Sequence, residues 1–154
     1  MDIVPASVSD WSTIAALLQQ ASLPVDDLDS SHLDNFLVAR SAEISSEIAG
    51  AIGLECFGDT GLLRSLVVAD AHRGAGVARK LIAALETRAI GIGIESLYLL
   101  TIDADEYFLA RGYLPVERPN VPASIRATRE FSELCPGDAV VMRKALGGAP
   151  TIAR

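Results

Sequence analysis

The run Arg73-Gly74-Ala75-Gly76-Val77-Ala78-Arg79-Lys80 gathers residues whose types and spacing suit anion-binding chemistry. Before it, Leu66-Val67-Val68 reads as a buried strand. After Gly74, Val77, Leu81, Ile82, Leu85 and Ala89 recur at helical spacing. A strand therefore runs into a turn, and the turn opens a helix. Small residues at 74, 75, 76 and 78 let a ligand approach the backbone closely. The first amides of a helix have no partner within it, and its dipole places roughly half a positive charge there. With Arg73, Arg79 and Lys80 alongside, that helix start suits a pyrophosphate. The alternative is a glycine-softened helix start that binds nothing; the strand, the helix and the flanking cations weigh against it. A dinucleotide fingerprint needs a third glycine or alanine at wider spacing and an acidic residue about 20 positions on. A P-loop needs Gly-Lys followed by Ser or Thr, which is absent.

Other reactive residues are sparse. The two cysteines, Cys56 and Cys135, read as free thiols. With His32 and His72 they are widely scattered at no ligand spacing, so no metal site is expected. Cys135 precedes Pro136-Gly137 with no His, Lys or second Cys nearby to activate it, which suits a small apolar turn residue. His72 reads as a loop residue beside the phosphates.

The elements that must position these residues follow from punctuation and periodicity. Residues 2–5 read as a strand. Ser9 or Asp10 is placed to cap a helix over Trp11–Ala21, with Ile14, Leu17, Leu18 and Ala21 on one face and Pro24 ending it. Val25–Asp34 is acidic and suits a short helix. Strands are expected at 36–39, 48–57 and 62–68, with Gly58-Asp59-Thr60-Gly61 as a hairpin turn. The helix after Gly74 runs to Gly91, and Leu97–Thr101 is a strand. Asp103 or Asp105 is placed to cap a helix through Leu109 that stops at Gly112. Tyr113–Val116 is extended, Asn120–Pro122 a loop, Glu130–Leu134 helical or irregular, and Ala139–Lys144 the last strand. This is an α/β (α+β) order: a single domain over 1–146 with helices on both faces of a sheet, and a frayed tail over 147–154.

The formal net charge is −7, a field that repels nucleic acid and anionic lipid. An anionic ligand therefore needs the local reversal of sign that Arg73, Arg79 and Lys80 supply. No apolar run reaches the ~18 residues of a membrane span. The start MDIVPASVSDW shows no secretory signal, so a cytoplasmic setting is expected.

The stretch Leu66–Ala69 followed by Arg73-Gly74-Ala75-Gly76-Val77-Ala78 and a helix resembles the acetyl-CoA-binding motif of the GNAT N-acetyltransferases, in which Arg73, Gly76 and Ala78 fill the defining positions. Tyr107-Phe108-Leu109-Ala110-Arg111-Gly112-Tyr113 resembles the family's aromatic pair and Gly-aromatic step. A narrower likeness exists to the arsenic-resistance branch, carried by Gly53-Leu54-Glu55, Leu62–Val68, Leu99-Leu100-Thr101, Ile125-Arg126-Ala127-Thr128, Glu130-Phe131 and Leu134-Cys135-Pro136. The resemblance implies a mixed, mostly antiparallel sheet of six to seven strands.

The resemblance also implies acetyl-CoA as co-substrate, with no metal, and direct transfer of its acetyl group to the amine of a small molecule. Its phosphates would lie on the amides of 74–79. Its pantetheine arm would follow Leu66–Val68, the amide of Val67 or Val68 would face the thioester oxygen, and Thr101 and Phe108 would touch the cofactor. The family's usual acid is a Tyr four residues before the glycine, which here is Phe108; Tyr107 is one place earlier, a helical rotation of about 100° away. Tyr107, Cys135 or a water are the candidate acids. Glu55 is the candidate base, through a water. Its other role is a cross-strand ion pair with Arg64, or one that leaves Arg64 to hold a substrate carboxylate. Arg126, with Arg129 and Glu130, reads either as a solvated face or as recognition of a carboxylate or arsonate. An acetyl-CoA-binding sensor without turnover is the competing function. The resemblance adds a homodimer to the assemblies to be tested.

Overall fold

Half the chain is apolar, and elements form where that content is periodic. The computed structural model describes residues 1–23, 25, 28–41, 47–128, 131 and 139–146. Among the described residues, seven strands and four α-helices follow in the order β1 (Asp2–Pro5), α1 (Trp11–Gln20), β2 (Phe36–Arg40), β3 (Ile48–Phe57), β4 (Thr60–Val68), α2 (Val77–Gly91), β5 (Ser96–Thr101), α3 (Asp105–Leu109), β6 (Leu114–Val116), α4 (Ala123–Arg126) and β7 (Val140–Ala145). The strands form one mixed sheet in the order β1-β2-β3-β4-β5-β7-β6. The pairs β1–β2, β2–β3, β5–β7 and β6–β7 are antiparallel. β4 and β5 are parallel, with Thr60, Gly61 and Leu62 opposite Ser96, Leu97 and Tyr98.

The chain divides into two compact units. The first comprises Met1–Leu54 and Arg64–Arg88. Its core gathers Ile14 and Leu18 of α1 with Phe36, Val38, Ala51 and Val67 from three strands. Most of β3 is buried on both faces, which explains its glycines. A Cβ on Gly50 would lie 2.7 Å from the Val67 carbonyl oxygen, and one on Gly53 would lie 2.4 Å from the Phe36 ring. The second unit comprises Glu55–Leu63 and Ala89–Arg154; its core gathers Leu62, Tyr98, Val121, Ile125 and Val141.

Several local expectations are corrected. Asp10 holds the N-cap position of α1 as expected, but its carboxylate makes no capping bond to that helix and instead closes the 3-10 turn over Val8–Asp10 that precedes it. Its Oδ2 accepts from the Ser7 amide at 2.8 Å and the Ser7 hydroxyl at 3.1 Å, and pairs with Arg40 at 2.6 Å. The short helix expected in the acidic stretch after Pro24 is a 3-10 helix over Ser30–Asn35. The β3–β4 turn is two residues, Gly58-Asp59, not four, because Gly58 takes φ +67 and closes it early. Neither Asp103 nor Asp105 caps α3. The cap position is Ala104, whose amide donates to Thr101 Oγ1 at 3.0 Å. The loop at 120–122 is partly a 3-10 turn (Arg118–Asn120), and the unexpected α4 follows, with Pro122 setting its entry. Pro24, Glu130, residues 132–138 with Cys135, and the tail 147–154 lie outside the described residues.

Candidate functional site

β4 feeds the site, and one residue bends it. Ser65 has φ +61, a left-handed conformation that is costly for a residue with a Cβ, at about 1–3 kcal/mol. The count of residues gives the reason. From the two-residue turn to the bond that the Ala69 amide donates to the Ala49 carbonyl (2.7 Å), β4 takes one residue step more than β3. The surplus residue is a bulge, and Ser65 absorbs it. Its hydroxyl accepts from Arg64 Nε at 3.0 Å. Arg64 is only 2% exposed. Beyond the bulge Val67 is buried, while Leu66 and Val68 are half-buried.

After β4 comes a 3-10 turn over Asp70–His72, then an extended Arg73. Gly74 and Gly76 follow with φ +82 and +80, a conformation only glycine adopts without strain. The first helical bond of α2 runs from the Lys80 amide to the Gly76 carbonyl at 3.1 Å. The amides of 77–79 precede it and have no acceptor within the helix. α2 has 15 residues, long enough for a developed dipole. Arg73, Arg79 and Lys80 are exposed around this turn. Arg73 Nε lies 3.4 Å from the Val68 carbonyl and 3.3 Å from Asp70 Oδ1. That exposed ion pair is weak and exchangeable. The Arg79 guanidinium folds back toward Gly76, 3.2 Å from where a Cβ there would sit. His72 Nε2 lies 3.3 Å from Glu47 Oε2, which ties the turn to the start of β3. Residues 66–68 and 73–79 thus form one continuous surface of the first unit: strand backbone, then glycine turn, then helix start.

The remaining candidates belong to the second unit. Glu55 is half-buried on β3, with its Oε1 shielded from solvent. Counted from the two-residue turn, its opposite residue is Leu62, so the expected cross-strand match with Arg64 is displaced by two positions along β4. Tyr107 is half-buried, with the Arg111 guanidinium 3.7 Å above its ring and Arg111 donating to its carbonyl at 3.0 Å. Phe108 is buried and sits edge-on to both Tyr107 and Tyr113, with 5.6 Å between centroids in each pair. Thr101 holds the turn into α3 through its hydroxyl. Arg126 is exposed at the end of α4. Among the described residues no cluster of His, Cys, Asp or Glu could hold a metal ion, and no helix is long and apolar enough to cross a membrane.

The residue that sequence reasoning missed is Ser65. Its only signal is the adjacent polar pair Arg64-Ser65 inside an otherwise apolar strand, where strict alternation would allow one polar residue at a time.

Comparison with known proteins bears on this geometry. The model of the "Acetyltransferase (GNAT) family" matches residues 6–113. No curated protein matches the chain. Among solved structures, N-acetylglutamate synthase from Neisseria gonorrhoeae, complexed with coenzyme A and N-acetyl-glutamate, superimposes with a TM-score of 0.81 at 22% identity over 94% of this chain. The chain spans only 35% of that synthase. Rv2747 from Mycobacterium tuberculosis, in complex with CoA, gives a TM-score of 0.81 at 20% identity, covering 95% of this chain and 99% of that one. A GNAT-family acetyltransferase from Staphylococcus aureus gives 0.71 at 18% identity, covering 94% and 98%. At these identities the likeness is one of fold.

Proposed function

The chain belongs to the GNAT acetyltransferase family, and from that premise we propose that it moves an acetyl group from acetyl-CoA to the amine of a small molecule. The observation that carries this reading is the turn at 73–80. Two left-handed glycines bring the backbone to the start of a 15-residue helix, with three exposed cations around it. That donor set fits a pyrophosphate in a chain whose overall net charge is −7. Arg73 through Arg79 hold the phosphates in this reading, and the backbone of Leu66, Val67 and Val68 runs beside the pantetheine arm. Thr101 and Phe108 complete the cofactor's surroundings in the same reading.

Acetyl-CoA supplies an acetyl group activated as a thioester. The acceptor amine loses a proton and its nitrogen bonds to the thioester carbon. The carbon–sulfur bond breaks, and the sulfur leaves as thiolate and ends as free thiol. The Val67 or Val68 amide stabilises the charge that develops on the carbonyl oxygen. Glu55, acting through a water, receives the amine's proton, and Tyr107 is the candidate donor to sulfur. Support for Tyr107 is its half-exposed ring beside Arg111; Phe108 has no proton to give.

The acceptor is an amino acid in this reading. Its support is the synthase's complex with N-acetyl-glutamate and the exposed Arg126, a cation suited to a carboxylate. Arg64, the other arginine expected to read a carboxylate, is buried with its Nε directed at Ser65 Oγ, which favours a different role. An arsenic-bearing amino-acid analogue is the narrower form of the same acceptor, supported by the sequence likeness alone.

The test is release of free thiol from acetyl-CoA across a panel of amino acids and other small amines. Turnover with a subset, reduced at least tenfold in Glu55→Gln and Tyr107→Phe, is the expected result. Tight acetyl-CoA binding with no turnover on any amine overturns it and favours a second reading, an acetyl-CoA sensor. The burial of Phe108 between two tyrosine rings is what favours that reading.

A further inference from the structure

Ser65 is held where serine has no preference to be. Asn, Asp and Gly visit the left-handed region readily; serine does not. Its φ of +61 in the middle of a nine-residue strand therefore needs an external hold. Arg64 provides one. Its Nε–H donates to the Ser65 hydroxyl at 3.0 Å. Burial to 2% exposure fixes the guanidinium where an exposed arginine would sweep through many rotamers. Beyond the bend the strand is fixed again. Val67 packs into the core beside Ile14 and Leu18, and the Ala69 amide bonds to the Ala49 carbonyl at 2.7 Å. With the far end anchored, the conformation of Ser65 decides where the amides between it and Ala69 point.

We propose that the Arg64–Ser65 hydrogen bond holds the bend of β4 and so aims the Val68 amide, on the strand edge opposite the Ala69–Ala49 bond, at the oxygen on which charge develops during transfer. Arg64 and Ser65 are then positioning residues, neither touching the reacting atoms. The inference rests on the acetyl-transfer reading above. It predicts a specific division of effects. Donors that act on charge in the transition state change kcat, whereas the phosphate turn at 73–80 sets the affinity for the cofactor.

The experiment measures kcat for thiol release, Kd for CoA by calorimetry, and the Val68 amide resonance by NMR, for the parent and four variants. Ser65→Val, whose β-branched side chain opposes positive φ, is expected to lower kcat at least twentyfold. Arg64→Ala is expected to lower it about tenfold, and Ser65→Gly, which removes the hydroxyl without conformational penalty, about fivefold. Each keeps Kd for CoA within threefold and shifts the Val68 amide. Ser65→Asn, which favours the left-handed region and offers a side-chain carbonyl to Arg64, recovers most of the loss seen in Ser65→Val. A kcat within twofold of the parent in folded Ser65→Gly and Arg64→Ala overturns the proposal, as does a loss of CoA affinity in step with kcat. If Ser65→Val fails to fold, Ser65→Gly and Ser65→Asn decide alone. A parent without turnover overturns the acetyl-transfer reading and this inference with it; a parent that turns over while the variants match it overturns this inference only.

Discussion

The stretch from Arg64 to Lys80 and the stretch from Thr101 to Tyr113 each run from a strand into the helix after it and beyond, and they use their residues in opposite ways. In the first, side chains step aside and backbone is presented: Ser65, Gly74 and Gly76 all have positive φ, and the helix amides face outward. In the second, backbone is consumed locally and rings close on one another. The Phe108 ring meets Tyr107 and Tyr113 edge-on, the Arg111 guanidinium covers Tyr107, and the Tyr113 amide bonds to the Phe108 carbonyl at 3.1 Å. Backbone chemistry depends on where glycines fall. Side-chain chemistry depends on which way one residue of a helix turns. The first tolerates exchange of most side chains; the second changes its meaning with a shift of one position.

The largest expected effect breaks the first region at its narrowest point. Gly76→Val places a β-branched residue at φ +80 beside the Arg79 guanidinium. The strain of about 1–3 kcal/mol falls on the turn itself, because the rest of α2 is anchored by Leu81 and Leu85. Affinity for CoA, measured by calorimetry, should fall at least tenfold, while the thermal midpoint falls by no more than the roughly 2–4 °C per kcal/mol that this strain costs. An unchanged affinity would remove the turn from the cofactor site. Gly50→Ala reaches the same region from the other side. The new methyl meets the Val67 carbonyl at 2.7 Å, backbone against a buried methyl, and one strand must yield. Overpacking of this kind costs about 1–3 kcal/mol, read as a lower urea midpoint. A parental midpoint would mean that β3 does not fix the position of Val67.

Phe108→Tyr tests the second region. If this position were simply a phenylalanine where an acid belongs, the phenol would raise kcat. Its burial between two rings argues otherwise. A buried hydroxyl without a prepared partner costs about 1–3 kcal/mol. The expected variant is less stable and no faster, by thermal unfolding and thiol release. A fivefold gain in kcat would show that the ring edge faces the reacting sulfur.

The two regions were also unequally legible in the sequence. The turn could be read because glycine, arginine and a change from strand to helix period each have one main physical meaning there. Each of the seven described strands could be placed for the same reason, to within two residues at its ends. The bulge at Ser65 was hidden because serine carries no conformational signature, and because one surplus residue in a strand is visible only when its partner strand is counted against it. That count in turn depended on a turn read as four residues that closes in two, since Gly58 accepts φ +67 and releases Thr60 and Gly61 to pair with β5. α4 was hidden because four residues cannot show a helical period. Burial of Arg64 was not legible at all: a lone arginine in a strand looks the same whether it faces water or the interior.

The smallest effect supplies the control that the comparison needs, a charged side-chain cluster of the first unit remote in sequence from the turn. Burial of Asp10 pushes its carboxyl pKa up. The hydrogen bond from Arg40, the Ser7 amide and hydroxyl, and the Arg40 charge together outweigh burial, and the net shift is downward from 3.8. A carboxyl that binds its proton less readily when folded stabilises the fold above its unfolded pKa, and that contribution is lost as pH falls through the lowered folded value. The parent should therefore exceed Asp10→Asn in urea stability by about 1 kcal/mol near neutral pH, and the gap should close between about pH 5 and about pH 2. Affinity for CoA should be equal in the two proteins wherever both are folded, because the cluster joins the Ser7–Asp10 turn to β2 and takes no part in the glycine turn. A gap in stability that stays constant with pH would show that Asp10 acts through its shape and not its charge. A difference in CoA affinity would mean that the glycine turn is not a self-contained backbone site, and that its contrast with the aromatic region is one of degree.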